Sequence, residues 1–70
     1  MEKGLLKIKN LKDDQDAKTI VNALNHVWGI EKIRVDVNNQ EAVYTYDNRM
    51  AAPEDFVQAV KDLGYEIREN

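Results

Sequence analysis

Three aspartates stand within four positions of this 70-residue chain, at Asp13, Asp14 and Asp16, just where a segment with helical apolar spacing begins. Carboxylates at such a position can do two kinds of chemistry. They can accept hydrogen bonds from the free N–H groups of the first helical turn and interact with the positive end of the helix dipole. They can also supply oxygen ligands to a hard cation such as Mg²⁺, Ca²⁺ or Mn²⁺.

Helix capping is the interpretation that we favour for these aspartates, because the oxygen shell is incomplete. A Ca²⁺ ion usually takes about 6–8 oxygen ligands, roughly twice what the three carboxylates and Gln15 supply, and the spacing lacks the EF-hand pattern. The alternative is a hard-ion site built on Asp13, Asp14 and Asp16, or a weak Zn²⁺ site if another ligand joins. We therefore expect no cofactor, with a divalent metal ion as the alternative.

The single histidine does not complete that alternative site. His26 follows Asp16 by ten residues, which in a helix corresponds to about 15 Å along the axis, so we expect a surface side chain. The chain contains no cysteine and no serine, and its histidine has no evident acid or base partner. We predict that the protein is not an enzyme.

Composition and charge restrict the class of protein. Hydrophobic residues make up 43% and charged residues 33%, as in a soluble globular domain. The formal charge of −3 disfavours non-specific nucleic-acid binding. No apolar run approaches the roughly 20 residues that a membrane helix needs, and Met1-Glu2-Lys3 leads into no signal-peptide core. We expect one cytoplasmic domain, residues 1–70, with no membrane insertion and no nucleic-acid partner.

Hydrophobic periodicity predicts a strand, a helix and a second strand in the first half of the chain. Leu6 and Ile8 alternate with lysines, as in a half-buried strand. The first helix has Asp13 or Asp14 as its N-cap and ends near Gly29. Its apolar positions are Ala17, Ile20, Val21, Leu24 and Val27. The alternating apolar residues of the second strand are Ile33, Val35 and Val37.

The second half adds a turn, a strand, a helix and a short strand. A tight turn is predicted at Asn38-Asn39, because asparagine tolerates left-handed backbone. The third strand places Ala42, Tyr44 and Tyr46 on its core face. Pro53 fits the first turn of the second helix and Gly64 fits its C-cap. The core stripe of that helix is Phe56, Ala59, Val60 and Leu63, and the last strand contains Tyr65 and Ile67.

The resulting order, β-α-β-β-α-β, consists of two β-α-β halves joined by a hairpin. Right-handed crossovers place both helices on the same side of the sheet. We therefore predict an α+β, ferredoxin-like fold: a four-stranded antiparallel sheet with two helices on one face and the other face open to solvent.

Five segments taken together resemble the heavy-metal-associated domains of copper chaperones and metal-transporting ATPases. The segments are Leu6-Lys7-Ile8, Ile20 with Leu24, residues 28–35, residues 42–47 and Leu63-Gly64-Tyr65. No single segment is specific, but their order and spacing together are, and the resemblance covers nearly the whole chain.

The metal loop of that family, Gly-Met-x-Cys-x-x-Cys, precedes the first helix. Here Asn10 takes the glycine position, Leu11 the methionine position, and Asp13 and Asp16 the positions of the two cysteines. Thiolates suit Cu(I), whereas carboxylates suit harder ions, so a two-coordinate copper site is disfavoured. The loop keeps its place in the scaffold and loses both sulfur ligands.

The resemblance implies a non-catalytic domain that acts as an interaction or regulatory module linked to metal homeostasis or transport. The partner that it implies is a protein, either a metal transporter or another domain of the same family. The alternative is a metal-binding or metal-delivery protein that uses Asp13, Asp14 and Asp16 for a harder ion.

Two surface features are candidates for docking a protein. Trp28 is either an exposed anchor or a cover for the edge of the core. Tyr65 resembles the family position near the metal loop, where a role in the core or in support of the loop is expected. Long charged side chains often merely cover a sheet, and the alternative is a docking surface for an acidic protein. The open face is predicted to present Lys7, Lys9, Lys32, Arg34 and Arg68, with Asp36 and Glu66 nearby. RNA binding is disfavoured, because it needs exposed strand aromatics.

Overall fold

The computed structural model describes residues 1–68 and contains the six elements in the predicted order. They are β1 (Glu2–Ile8), α1 (Asp14–Asn25), β2 (Ile30–Asp36), β3 (Glu41–Tyr46), α2 (Pro53–Lys61) and β4 (Ile67–Arg68). The strands form one sheet in the order β2-β3-β1-β4, and every neighbouring pair is antiparallel. Within the described part of the chain, no helix is long and apolar enough to cross a membrane.

Alternation along the strands builds the core on one side of this sheet. Leu6 and Ile8 of β1 lie on the same side as Tyr44 and Tyr46 of β3, and all four are buried. The helices pack on these side chains through apolar residues at helical spacing. The buried helix residues are Ile20, Leu24, Phe56 and Val60. The predicted ferredoxin-like arrangement, with both helices on one face, is confirmed.

Three aromatic rings fill the space between α2 and the sheet. The ring centroid of Phe56 lies 4.4 Å from that of Tyr44 and 5.0 Å from that of Tyr46. The Tyr44 ring also covers Gly4 of the neighbouring strand β1. A Cβ atom at position 4 would come within 2.2 Å of the ring carbon Cζ. Gly4 therefore leaves the room that the Tyr44 ring occupies.

Several element boundaries differ from the predictions. Leu63 was predicted in the core stripe of α2, but that helix ends at Lys61 and Leu63 is 42% exposed. The prediction for Leu63 is wrong, because the turn that follows the helix rotates this residue away from the core. Tyr65 lies before β4 instead of within it.

The turn between β2 and β3 is also built differently. The asparagines were expected to take the left-handed conformation, but the non-glycine residue with positive φ is Gln40, at 54°. Asp36 explains the difference, because its carboxylate accepts hydrogen bonds from the backbone N–H and the side-chain amide of Asn39. Asn39 is thus held by hydrogen bonds to Asp36, and the left-handed backbone conformation occurs one residue later, at Gln40.

Candidate functional site

The loop between β1 and α1 is fixed from two sides by distant parts of the chain. Gln40 Nε2 donates to the backbone oxygens of Lys9 (3.0 Å) and Leu11 (3.1 Å). On the other side, Asn10 Oδ1 accepts a hydrogen bond of 3.1 Å from the backbone N–H of Glu66. Leu11, at the position of the family methionine, is 1% exposed and belongs to the core. The loop is therefore anchored before the helix begins.

Asp13 caps α1, as one of the two predicted N-caps. Its backbone is extended (φ −148°), and Oδ1 accepts a 3.0 Å hydrogen bond from the backbone N–H of Asp16. This satisfies one of the N–H groups that a helix start leaves unpaired. Asp14 is the first residue of the helix, and its exposed carboxylate makes no hydrogen bond to residues 1–68.

Asp16 connects the loop to the segment before β4. Its Oδ2 accepts from the backbone N–H of Lys12 (2.9 Å), and its Oδ1 accepts from the hydroxyl of Tyr65 (2.6 Å). The Tyr65 hydroxyl and then the Lys12 amide stabilise the charged carboxylate, so the pKa of Asp16 lies below its ordinary value. The same hydrogen bond raises the pKa of Tyr65 to about 12. Tyr65 supports the loop, as predicted.

The donor set of the loop does not fit a soft metal ion. Asp13 and Asp16 replace thiolates by carboxylates, and their oxygens already accept hydrogen bonds from the loop and from Tyr65. Among residues 1–68, no three side chains of His, Cys, Asp or Glu are grouped so that they can hold a metal ion. His26 lies at the other end of α1, where its Nδ1 is 2.6 Å from the Asn22 oxygen.

The open face of the sheet presents the cations that the sequence predicts, together with residues that it missed. Strand register aligns three rows across this face: Lys32–Thr45–Lys3, Arg34–Val43–Leu5, and Asp36–Glu41–Lys7–Arg68. Lys9 follows directly after β1 and is exposed. Lys3 and Leu5 were missed, although the alternation that buries Leu6 already places them on this side.

Trp28 follows the C-terminal end of α1, opposite the segment of residues 11–16 at its start, which we call the acidic loop, and is 78% exposed. It therefore does not cover the core, and of the two interpretations only the exposed side chain agrees with the structure. The next residue, Gly29, has a φ of +90° and packs against Met50. A larger residue at position 29 would place its Cβ 2.9 Å from the Cβ of Met50. The role of Trp28 as a binding anchor stays a prediction.

The sequence and the fold of this chain are similar to those of known metal-binding domains. The model of the heavy-metal-associated domain matches residues 5–66. Copper-transporting ATPase 2 of Homo sapiens is 30% identical over 61 residues, which are 87% of this chain and 4% of that protein. The chain thus spans a very small part of the curated relatives that it matches.

Solved structures show the same fold. The CopZ metallochaperone superposes with a TM-score of 0.92 over 96% of this chain and 100% of that one, at 21% identity. Oxidized MerP from Ralstonia metallidurans CH34 gives a TM-score of 0.88 over 97% of each chain, also at 21% identity. At this identity the likeness concerns the fold alone.

Proposed function

Because the chain belongs to the heavy-metal-associated domain family, we propose that it acts in metal homeostasis as a protein-interaction or regulatory module that carries no soft metal ion. The observation that supports this is the loop before α1. Asp13 and Asp16 occupy the two ligand positions, and each accepts a backbone hydrogen bond, Asp13 from the first turn of α1 and Asp16 from Lys12 of the loop. The loop thus holds its shape through protein groups alone.

The chemistry of the two ligand types separates this function from copper delivery. Cu(I) selects thiolate and thioether sulfur, and the chain has no cysteine and two methionines, Met1 and Met50. Both methionines lie outside the acidic loop, and both are exposed. A carrier of Cu(I) needs ligands that this loop does not supply.

The proposed partner is a metal transporter or another domain of the same family, and the proposed compartment is the cytoplasm. The name of the relative Copper-transporting ATPase 2 supports a link to metal transport. The proposed role is not enzymatic, and it requires neither nucleic acid nor insertion into a membrane.

A Cu(I) titration against a restored site tests the proposal. We expect no saturable Cu(I) binding by the wild-type chain in the presence of a competing Cu(I) chelator dye. The double variant Asp13→Cys/Asp16→Cys, which returns sulfur to both positions, should remove Cu(I) from the same dye. Binding of equal strength by both proteins would overturn the proposal.

The second candidate function is binding of a harder ion by Asp13, Asp14 and Asp16. It is favoured by the exposure of Asp13 and Asp14 beside the half-buried Asp16, and by the lack of a salt bridge from any of the three to residues 1–68. Titration with Mn²⁺, Ca²⁺ and Zn²⁺, followed by the backbone NMR shifts of residues 10–17, tests it. Saturable micromolar shifts that disappear in Asp13→Asn/Asp16→Asn support this candidate, and unchanged spectra reject it.

A further inference from the structure

Charge is distributed unevenly between the open face of the sheet and the rest of the chain. Among residues 1–68, the open face carries six cations, Lys3, Lys7, Lys9, Lys32, Arg34 and Arg68, against three carboxylates, Asp36, Glu41 and the neighbouring Glu66. The rest of residues 1–68 contains four cations and nine carboxylates. A protein of net charge −3 thus presents one cationic surface, and surface potentials of this kind attract partners of the opposite sign.

Two recesses divide this face into a cationic part and an apolar part. The first, of about 330 Å³, is lined by Lys7, Ile8, Lys9, Asn39, Gln40 and Arg68. The second, of about 400 Å³, is lined by Lys3, Gly4, Leu5, Glu41 and Val43.

An ion pair separates the two recesses and leaves the outer cations available. Lys7 Nζ lies 2.6 Å from Glu41 Oε2, which neutralises Lys7 at the boundary. Neither Lys9 nor Arg68 has a salt bridge to residues 1–68. In the apolar recess, Leu5 is 53% exposed beside Val43, its partner in the strand register. This face therefore offers an aliphatic pair, exposed Leu5 and half-buried Val43, and two cations, Lys9 just after β1 and Arg68 on β4, that have no salt bridge within residues 1–68.

We propose that the open face of the sheet binds an acidic protein segment, which places an aliphatic side chain against Leu5 and Val43 and a carboxylate between Lys9 and Arg68. The inference rests on the proposed interaction function and names the chemistry of its partner. Side chains two and four residues apart in an extended chain lie on the same side, about 7 and 13 Å apart. Arg68 pairs with Lys7, two residues beyond Leu5 along the strand, and Lys9 is four residues beyond Leu5, so carboxylates at these spacings reach the space between Lys9 and Arg68.

The composition of the face favours a protein over other anionic partners. Single-stranded nucleic acid binds on exposed aromatic side chains, whereas Tyr44 and Tyr46 are buried on the other side of the sheet. Asp36, which has no salt bridge to residues 1–68, would repel a continuous anionic surface such as a lipid bilayer. A folded protein can place single carboxylates beside the cations and apolar groups beside Leu5.

A short synthetic peptide provides the probe. Acetyl-Ser-Leu-Ser-Glu-Ser-Glu-Ser-amide presents one leucine and two glutamates on one side of an extended chain. Titrated into the ¹⁵N-labelled 70-residue protein, it should shift the amides of residues 3–9, 32–36, 41–45 and 68, and leave those of α1 and α2 unchanged. Peptides with lysine in place of glutamate, or serine in place of leucine, should bind more weakly by about tenfold.

Two charge-reversal variants provide a matched control. Lys9→Glu/Arg68→Glu should weaken binding of the glutamate peptide by about tenfold or more. The control Lys18→Glu/Lys61→Glu changes the net charge by the same amount, on the exposed surface of the two helices. It should have little effect on binding. Equal weakening by both variants, shifts confined to the helices, or no binding at millimolar peptide would each overturn the proposal. Tighter binding to single-stranded nucleic acid or to anionic vesicles, or concentration-dependent shifts of the protein alone, would also overturn it.

The docking site and the proposed function fail in separable ways. The variant Asp13→Cys/Asp16→Cys alters only the acidic loop, so it should bind the peptide as the wild type does. If the wild-type chain binds Cu(I) but retains the peptide, the function without a soft metal fails and the docking site stands. If Cu(I) does not bind and the peptide does not either, only the docking site fails.

Discussion

The hydrogen bond between Asp16 and Tyr65 gives the acidic loop a pH dependence that one hydroxyl controls. The pKa of Asp16 is lowered in the folded chain, so its contribution to the free energy of unfolding is complete above the ordinary value near 3.8 and is lost as the pH falls through the lowered pKa. Tyr65→Phe removes the first cause of that lowering. We expect the pKa of Asp16 to rise toward its ordinary value, as measured by ¹³C NMR titration of its carboxyl carbon.

Asp47 provides the internal control for that titration. Its pKa is lowered to about 2 by hydrogen bonds from the Arg49 side chain and backbone, far from the loop. Tyr65→Phe should leave the pKa of Asp47 unchanged. A pKa of Asp16 that stays low in the variant would show that the Lys12 amide alone stabilises the carboxylate.

Gly4 is required by a ring on the next strand. Gly4→Ala places a Cβ atom within 2.2 Å of Tyr44 Cζ and within 2.5 Å of its hydroxyl oxygen. Overpacking of this kind typically costs about 1–3 kcal/mol of stability, which urea denaturation can measure. In the double variant Gly4→Ala/Tyr44→Leu the two losses should be less than additive, because the clash is absent. Strictly additive losses would contradict the steric explanation.

At the scale of elements, the β2–β3 turn acts as a support for the acidic loop. Gln40 adopts a positive φ of 54°, while its side chain holds the oxygens of Lys9 and Leu11. Gln40→Ala keeps the backbone strain and loses both hydrogen bonds, so we expect a loss of about 1–2 kcal/mol. Gln40→Gly loses the same bonds but relieves the strain, and should be more stable than the alanine variant by about 1 kcal/mol.

Hydrogen exchange separates the two effects of Gln40. Both variants should speed amide exchange at residues 10–13, because both remove the side-chain support. Equal stability of the alanine and glycine variants would show that the positive φ carries no cost at this turn.

The elements were predictable because each has a local signal, whereas the contacts of the site were not. Alternation in β1 and β3 and the capping aspartate can be read within a few residues, and both were predicted. The hydrogen bond from Tyr65 to Asp16 joins residues 49 positions apart, and the support by Gln40 joins residues about 30 apart. Such pairs depend on the final packing, so the sequence indicated only that Tyr65 lies near the loop.

At the scale of the whole molecule, the fold should be independent of any metal ion. The loop is held by Gln40, Asn10 and Tyr65, and the buried residues of 1–68 include no His, Cys, Asp or Glu. A ligand that binds only the folded state raises its thermal stability. We therefore expect the thermal midpoint of the wild-type chain to stay constant when EDTA or EGTA is added. A midpoint that falls with chelator would show that a bound ion contributes, in favour of the hard-ion alternative.

The exposure of Trp28 determines what its fluorescence can report. This tryptophan is the only one in the chain, and 78% of it meets solvent in the native state. Its emission maximum should therefore already lie near that of tryptophan in water and shift little on unfolding, so the core must be followed by circular dichroism. The same property makes Trp28 a selective probe: a partner that covers this end of the molecule shifts its emission to the blue, whereas a peptide on the open face of the sheet leaves it unchanged.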